Sequence, residues 1–461
     1  MRLTSSPPVV RVLTLIAAVV VFAALVLWSL SWANFIGLDF RVYRMGGQSV
    51  VDGDGSLYTR SFGEGEGSLL FTYPPFAALL FTALTLVTAE IGAVIFVALS
   101  VLTALATAVH VARYSTGLPS MRAVLGHPVA LPAAIAGAGL ICLLGPWRET
   151  MAFAQINILL FALIIVDLLS GPHRRWPTGM VTGVAAGIKL TPLVFGLYFL
   201  MRGEWRELRN MAAGFFGTIG LGFLLLPSES RIYWLQMLRD TGRIGGEGYV
   251  DNLSVRGAIL HFGGPDFPSF LPWLGVSLAL VGAAAYVIRG AHARGDRFIG
   301  MTATALLMLL ISPISWSHHW VWIAIILPVL AAQFFSLPKN RKGYRYAAGV
   351  LFVLTLPVFI YSPKTIGTLL GAEDLNSQLT TGWLMASSAG VFCGLAILVF
   401  WVLLTRALRP ATGGPASGDR AAASAGGKRA ASNPIGGNAA GGNAEAAHAA
   451  RPASAPTPPA P

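Results

Sequence analysis

Apolar runs separated by short polar breaks follow one another from Val9 to Leu404. A chain written this way keeps most of its length in a bilayer, where only helices or closed barrels satisfy the backbone. Apolar residues make up 55% of the chain and charged residues only 11%, so no soluble domain is hidden among the runs. The fold class expected is an all-α polytopic membrane protein. Its first run, 9–32, is too long for a signal-peptide core and lacks a small-residue cleavage site, so it reads as a retained first helix.

The formal charge is +12. The arginines and lysines lie in short loops between apolar runs, which argues for topology control and against a nucleic-acid partner. With Met1 inside, the basic clusters at 113–122, 173–175, 202–209, 289–297, 339–345 and 406–409 all fall inside on one condition. The short run 76–88, after Tyr73-Pro74-Pro75, must enter from outside without crossing. At about 1.5 Å per residue it reaches some 20 Å, short of the roughly 30 Å apolar core, so a re-entrant or half-buried helix is expected. The remaining crossings are 91–111, 129–144, 156–169, 179–188, 192–201, 211–226, 271–288, 298–311, 321–332, 347–360 and 384–404. With the first helix they number about twelve, both termini inside.

Cys142 and Cys393 sit in apolar helices and have neither disulfide nor metal spacing. From residue 409 the chain turns to Ala, Gly, Pro and Ser with scattered arginines, too poor in apolar surface to offset ordering entropy. Domain organisation is therefore a membrane domain, 1–408, and a disordered cytoplasmic tail, 409–461. No repeat of the kind that builds carriers from two related halves is evident.

Lys189 is the most informative single residue. It interrupts the apolar stretch 179–201, and a lysine at membrane depth costs at least about 2.5–3.5 kcal/mol on insertion scales, so it marks a functional site by default. The short segments on either side place it in a cavity open to the outer side. Together with Arg41, Arg44 and Arg148 it would suit a phosphate, arginine by bidentate donation and lysine as a point charge; the alternative is an ion pair with a buried acid.

Every segment with unusual polar content lands on that outer face. Asp39 follows helix one at the water boundary, where a carboxylate can serve as general base or can simply cap a helix or pair with Arg41 or Arg44. Asp52, Asp54, Glu64 and Glu66 lie among glycines and serines and read as loop charges, with an acidic metal site as the alternative. His318 and His319, adjacent and so divergent in direction, do not suit a shared metal and either contact substrate, cap the next helix or stack on Trp316 and Trp320. Asp167, beside His173 and Arg174, reads as a paired inner-side acid. The loop 231–256, with Tyr233, Trp234, Asp240, Arg243 and Tyr249, offers the rings and directional donors that sugars need, or only an interfacial loop. Tyr73, Gln155, Asn157, Asn252, Arg256 and Trp316 are the candidate acceptor- or sugar-binding residues.

Six motifs in order resemble glycosyltransferase family 87: Asp39-Phe-Arg-Val-Tyr-Arg-Met-Gly-Gly, Thr72-Tyr-Pro-Pro-Phe, Ala154-Gln-Ile-Asn-Ile-Leu-Leu, Gly187-Ile-Lys-Leu-Thr-Pro, Asn252-Leu-Ser-Val-Arg-Gly and Ser312-Pro-Ile-Ser-Trp-Ser-His-His. The resemblance spans 39–319. It implies an integral-membrane enzyme of GT-C architecture with a periplasmic active site and a first outer loop carrying the catalytic acid. The implied donor is polyprenyl-phosphate-mannose. The implied acceptor is a mannosylated glycolipid, phosphatidylinositol mannoside or lipomannan and lipoarabinomannan, extended through an alpha-1,2 linkage. The family's catalytic aspartate maps onto Asp39 and its donor-phosphate ligands onto Lys189 and His318 or His319. A beta-linked donor and an alpha product imply inversion by one displacement with a single base. The leaving group is a phosphate monoester, so no metal and no cofactor are expected. The rivals are a lipid or glycolipid transporter holding a phosphate headgroup, and a structural protein of an envelope-assembly complex.

Overall fold

The structure is a computed structural model that describes residues 7–32, 37–59, 61–62, 69–170, 174–239, 245–264, 266–362 and 381–408. The expected tail, 409–461, lies outside the described residues, as do Glu64, Glu66, His173, Asp240 and Arg243.

Helices make up most of the described residues. The chain opens with α1 (Pro8–Trp32) and α2 (Leu38–Asp52), then a two-residue strand pair, Ser61–Phe62 against Leu69–Leu70, and α3 (Pro75–Phe81), which runs into a 3-10 turn at Thr82–Leu86. Next come α4 (Ala89–Thr116), α5 (Met121–Leu125), α6 (Ala130–Leu143), α7 (Gly145–Phe153), α8 (Asn157–Leu169), α9 (Met180–Ile188) and α10 (Phe195–Arg202). The rest is α11 (Trp205–Leu225), α12 (Pro227–Leu235), α13 (Val255–Gly263), α14 (Phe270–Ala293), α15 (Arg297–Ile311), α16 (Ile323–Ser336), α17 (Lys342–Ile360) and α18 (Thr381–Ala407).

The chain is a multi-pass membrane protein. Seven helical stretches among the described residues are long and apolar enough to cross a bilayer, and the pair α6 and α7, bent by 69°, makes an eighth if counted as one span. Twelve crossings were expected. The difference lies in length: α8 has 13 residues, α9 nine, α10 eight and α15 15, all short of the roughly 20 that a span needs.

Of the short helices, α15 is held inside protein. Every residue of α15 from Phe298 to Leu310 is buried, as expected of a helix that is apolar all round, and it packs on α14, α10 and α18. Its end delivers the segment from Ser312 to the site. On α9, Gly179, Gly183 and Gly187 recur every fourth residue and so share one face. A Cβ at any of the three would collide with α11 atoms, those of Glu207, Met211 and Thr218 respectively. Small residues at this spacing let two helices approach closely, which fixes where α9 ends and where Lys189 begins.

The other end of α9 is fixed by Asp167. Its carboxylate accepts from Gly179 N at 3.1 and 3.0 Å, from Thr182 N at 2.9 Å and from Thr182 Oγ1 at 2.7 Å. The expected pairing partner Arg174 bonds instead to the main-chain oxygen of Asp167. A buried carboxylate satisfying the otherwise unpaired donors of a buried helix N-terminus stabilises it by charge and by hydrogen bonding. Asp167→Ala is therefore expected to lower stability by about 2 kcal/mol, as read by thermal unfolding in detergent; an unchanged melting temperature would show the cap to be dispensable.

Candidate active site

Several segments converge on one cavity of about 600 Å³, among them the N-terminus of α2, the 69–74 stretch, the α7–α8 junction, the C-terminus of α9, the segment ahead of α13 and the stretch after α15. Its lining includes Asp39, Tyr73, Gln155, Lys189, Trp316, His318 and His319. Residues separated by up to 280 positions in the chain thus share one wall-to-wall space.

Asp39 lies in the first turn of a helix, not in a loop. On that helix Asp39 and Val42 share the face toward the cavity, as a spacing of three requires. Tyr43, one turn on from Asp39, packs behind: its ring stacks on Phe81 with centroids 4.6 Å apart, and its hydroxyl donates to Gln155 Oε1 at 2.8 Å. That leaves Tyr73, 3.0 Å away, as the donor in the Tyr43–Tyr73 hydroxyl pair. Burial, reinforced by the Asp39 carboxylate, pushes both phenols well above their ordinary range, so they remain protonated donors. The motif glycines Gly46 and Gly47 permit this packing, because a Cβ there would meet the Phe71 ring and the Phe81 main chain.

Lys189 is held by neutral groups. Its ammonium nitrogen lies 2.9 Å from Asn157 Oδ1 and 3.0 Å from His319 Nε2, and 5.7 Å from the centre of the Tyr73 ring. Neither hydrogen-bond partner is an acid. Asp39 is within electrostatic reach. His319 Nδ1 lies 3.1 Å from Trp316 N; a neutral imidazole has one acceptor nitrogen, so it accepts either from Trp316 N or from Lys189 and its tautomer decides which.

The α7–α8 junction carries a backbone cost. Ala154 has φ 51°, the left-handed region, and is the one non-glycine residue with positive φ among those described. Such a conformation costs a side-chain-bearing residue about 1–2 kcal/mol. It turns the chain so that Gln155 meets Tyr43 and Asn157 meets Lys189. Strain of this kind is held in place by surrounding structure and recurs at functional sites.

Several residues expected at the site are placed elsewhere. Arg41 points to the exposed side of α2, half a turn from Asp39. Arg44 donates to Val87 O at 3.0 Å. Arg148 is buried against Leu143 O and Ile360 O and stacks over Trp32 at 5.2 Å. Arg256 pairs with Glu247 at 2.7 Å and covers Trp273. Asn252 is fully buried, its amide closing onto Glu247 O, Pro313 O and Ser315 N. It latches the 245–254 segment to the stretch after α15. None of these five lines the cavity: Arg41 faces outward, and the other four each have a fixed carbonyl, acid or amide partner.

Sequence reasoning passed over Tyr43, Thr191 and Asp251, although Thr191 and Asp251 line the cavity and Tyr43 supports it. The four-residue step from Asp39 to Tyr43 was a usable signal, given a helix instead of a loop.

A model of glycosyltransferase family 87 matches residues 71–313, more than half of the chain. The chain belongs to glycosyltransferase family 87. It is a glycosyltransferase. Its relatives in the family include a polyprenol-phosphate-mannose-dependent alpha-(1-2)-phosphatidylinositol pentamannoside mannosyltransferase of Mycolicibacterium smegmatis, 35% identical over 70% of this chain and 75% of that protein. They also include the polyprenol-phosphate-mannose-dependent alpha-(1-2)-phosphatidylinositol mannoside mannosyltransferase of Mycobacterium tuberculosis, 30% identical over 84% of this chain and 92% of that protein. Among solved structures, ArnT from Cupriavidus metallidurans bound to undecaprenyl phosphate aligns with 86% of this chain and 76% of its own, at 20% identity and a TM-score of 0.32.

Proposed function

We propose that this family 87 enzyme transfers mannose from polyprenyl-phosphate-mannose to a phosphatidylinositol mannoside with inversion, forming an alpha-1,2 linkage. Support comes from the names of the family relatives and from one structural observation: Lys189, buried among neutral partners, shares a cavity with Asp39. A buried ammonium without an acid on its donors suits a phosphate that arrives with the substrate.

In this scheme Asp39 accepts the proton of the acceptor 2-hydroxyl as that oxygen attacks the anomeric carbon. The bond to the phosphate oxygen breaks on the opposite face. Lys189 and His319 offset the charge that grows on the departing polyprenyl phosphate. Trp316 and Tyr249, edge to face at 5.7 Å, offer an apolar ring surface for a pyranose on the same wall. Residues 1–408 form the catalytic domain, of GT-C architecture; the cavity opens on the extracytoplasmic face, and 409–461 form a cytoplasmic tail. A transporter finds no support in the family comparison.

Purified protein supplied with labelled polyprenyl phosphomannose is expected to mannosylate a phosphatidylinositol mannoside acceptor, giving a product that an alpha-1,2-mannosidase reopens. Failure to label any acceptor of this series, by protein that remains folded in detergent, sinks the proposal.

A further inference from the structure

Beside the sugar-transfer cavity, three side chains from three distant stretches meet. Glu149 comes from α7, Asp251 from the segment ahead of α13, and His318 from the turn that precedes α16. One nitrogen or carboxylate oxygen of each lies within 4.8 Å of the other two. Asp251 is 2% exposed and His318 8%. This is not a set of surface acids.

Ser317 stands between the two carboxylates. Its hydroxyl contacts Glu149 Oε2 and also Asp251 Oδ2, the latter at 3.0 Å. A hydroxyl has one proton, so it donates to one carboxylate at a time and presents a lone pair to the other. An imidazole completes the group, and imidazole is a metal ligand in its neutral form.

We infer that Glu149, Asp251 and His318, with Ser317 Oγ as a fourth donor, bind one divalent metal ion. One nitrogen and three oxygens suit Mn2+ or Zn2+ better than Mg2+, which prefers an all-oxygen shell that retains several waters. The backbone of the imidazole ligand is already fixed, since His318 O accepts from Thr150 Oγ1 at 3.1 Å and from Asn157 Nδ2 at 3.2 Å. Outer contacts of this sort orient metal ligands. The same Asn157 holds Lys189. Asp251 and His318 also line the cavity, so the ion faces the space in which the donor phosphate is proposed to lie and adds positive charge there. His318 then serves the ion, and the direct phosphate contact falls to His319. The sequence alone made a metal not obligatory. Ion binding stands on this geometry; only its catalytic use rests on the mannosyl-transfer proposal.

The test uses the full chain in detergent, stripped with EDTA and titrated with Mn2+ while electron paramagnetic resonance counts the free ion. One Mn2+ per chain is expected, displaced by Zn2+. Asp251→Asn and Glu149→Gln should each weaken binding at least about tenfold, whereas Asp52→Asn, an exposed carboxylate on α2, should leave it unchanged. The stripped wild-type protein should also gain melting temperature on adding Mn2+, a measurement that needs no variant. No stoichiometric binding by the wild type, or binding unaltered in both variants, overturns the site. Metal binding without mannosyl transfer overturns the transfer proposal alone. Full transfer by a stripped protein that binds no Mn2+ overturns the metal alone.

Discussion

Asp39→Asn is expected to insert and fold normally and to lose mannosyl transfer by about 10²- to 10⁴-fold, the usual contribution of a positioned general base. The substitution keeps the shape of the side chain and removes its proton affinity. Its structural cost is small. Asp39 sits in the first turn of α2, where a negative charge adds about 0.3–1 kcal/mol to helix stability at an exposed site. The loss should fall on kcat, with the Michaelis constants of donor and acceptor little altered, because a base acts on the transition state more than on bound substrate. Near-normal turnover would return Asp39 to a helix-capping role.

Lys189→Ala should act chiefly on the other substrate. A charge-assisted contact to phosphate is worth about 1.5–3 kcal/mol, so the donor's kcat/KM should fall roughly 10- to 100-fold, largely as a raised KM for polyprenyl phosphomannose. The acceptor KM should barely move. Lys189→Arg should not restore the donor term, because the nitrogen is seated between Asn157 Oδ1 and His319 Nε2 at 2.9 and 3.0 Å, a fit for a point charge and not for a planar fork. Unchanged donor dependence in Lys189→Ala would mean that the ammonium serves only to bridge α8, α9 and the turn before α16.

The helical, multi-pass class was legible because hydropathy is a local property: each apolar run declares its own preference for the bilayer. The count of spans was not, because α9 and α15 read as apolar as a true span yet stop short of one. Whether a short apolar helix meets lipid or protein depends on its neighbours, and those come from elsewhere in the chain. The same limit explains the arginines. Arg41, Arg44 and Arg148 carry the right charge near the right motifs, but the carbonyls that occupy Arg44 and Arg148 belong to Val87, Leu143 and Ile360. Asp39 lines the cavity but was assigned to a loop, since α2 is too polar to announce itself by hydropathy.

Composition and motif order by themselves determined the membrane class, the family and the two ionisable residues on which a mechanism is proposed, because those depend on residue type at a given place in the chain. Only the tertiary structure decided that Asp39 and Lys189 share a cavity, that Asn157 and His319 hold the ammonium, and that Glu149, Asp251 and His318 meet. Each of these contacts joins segments tens to hundreds of residues apart, and such proximity is created by helix packing, such as the glycine face of α9 on α11, which no local pattern encodes.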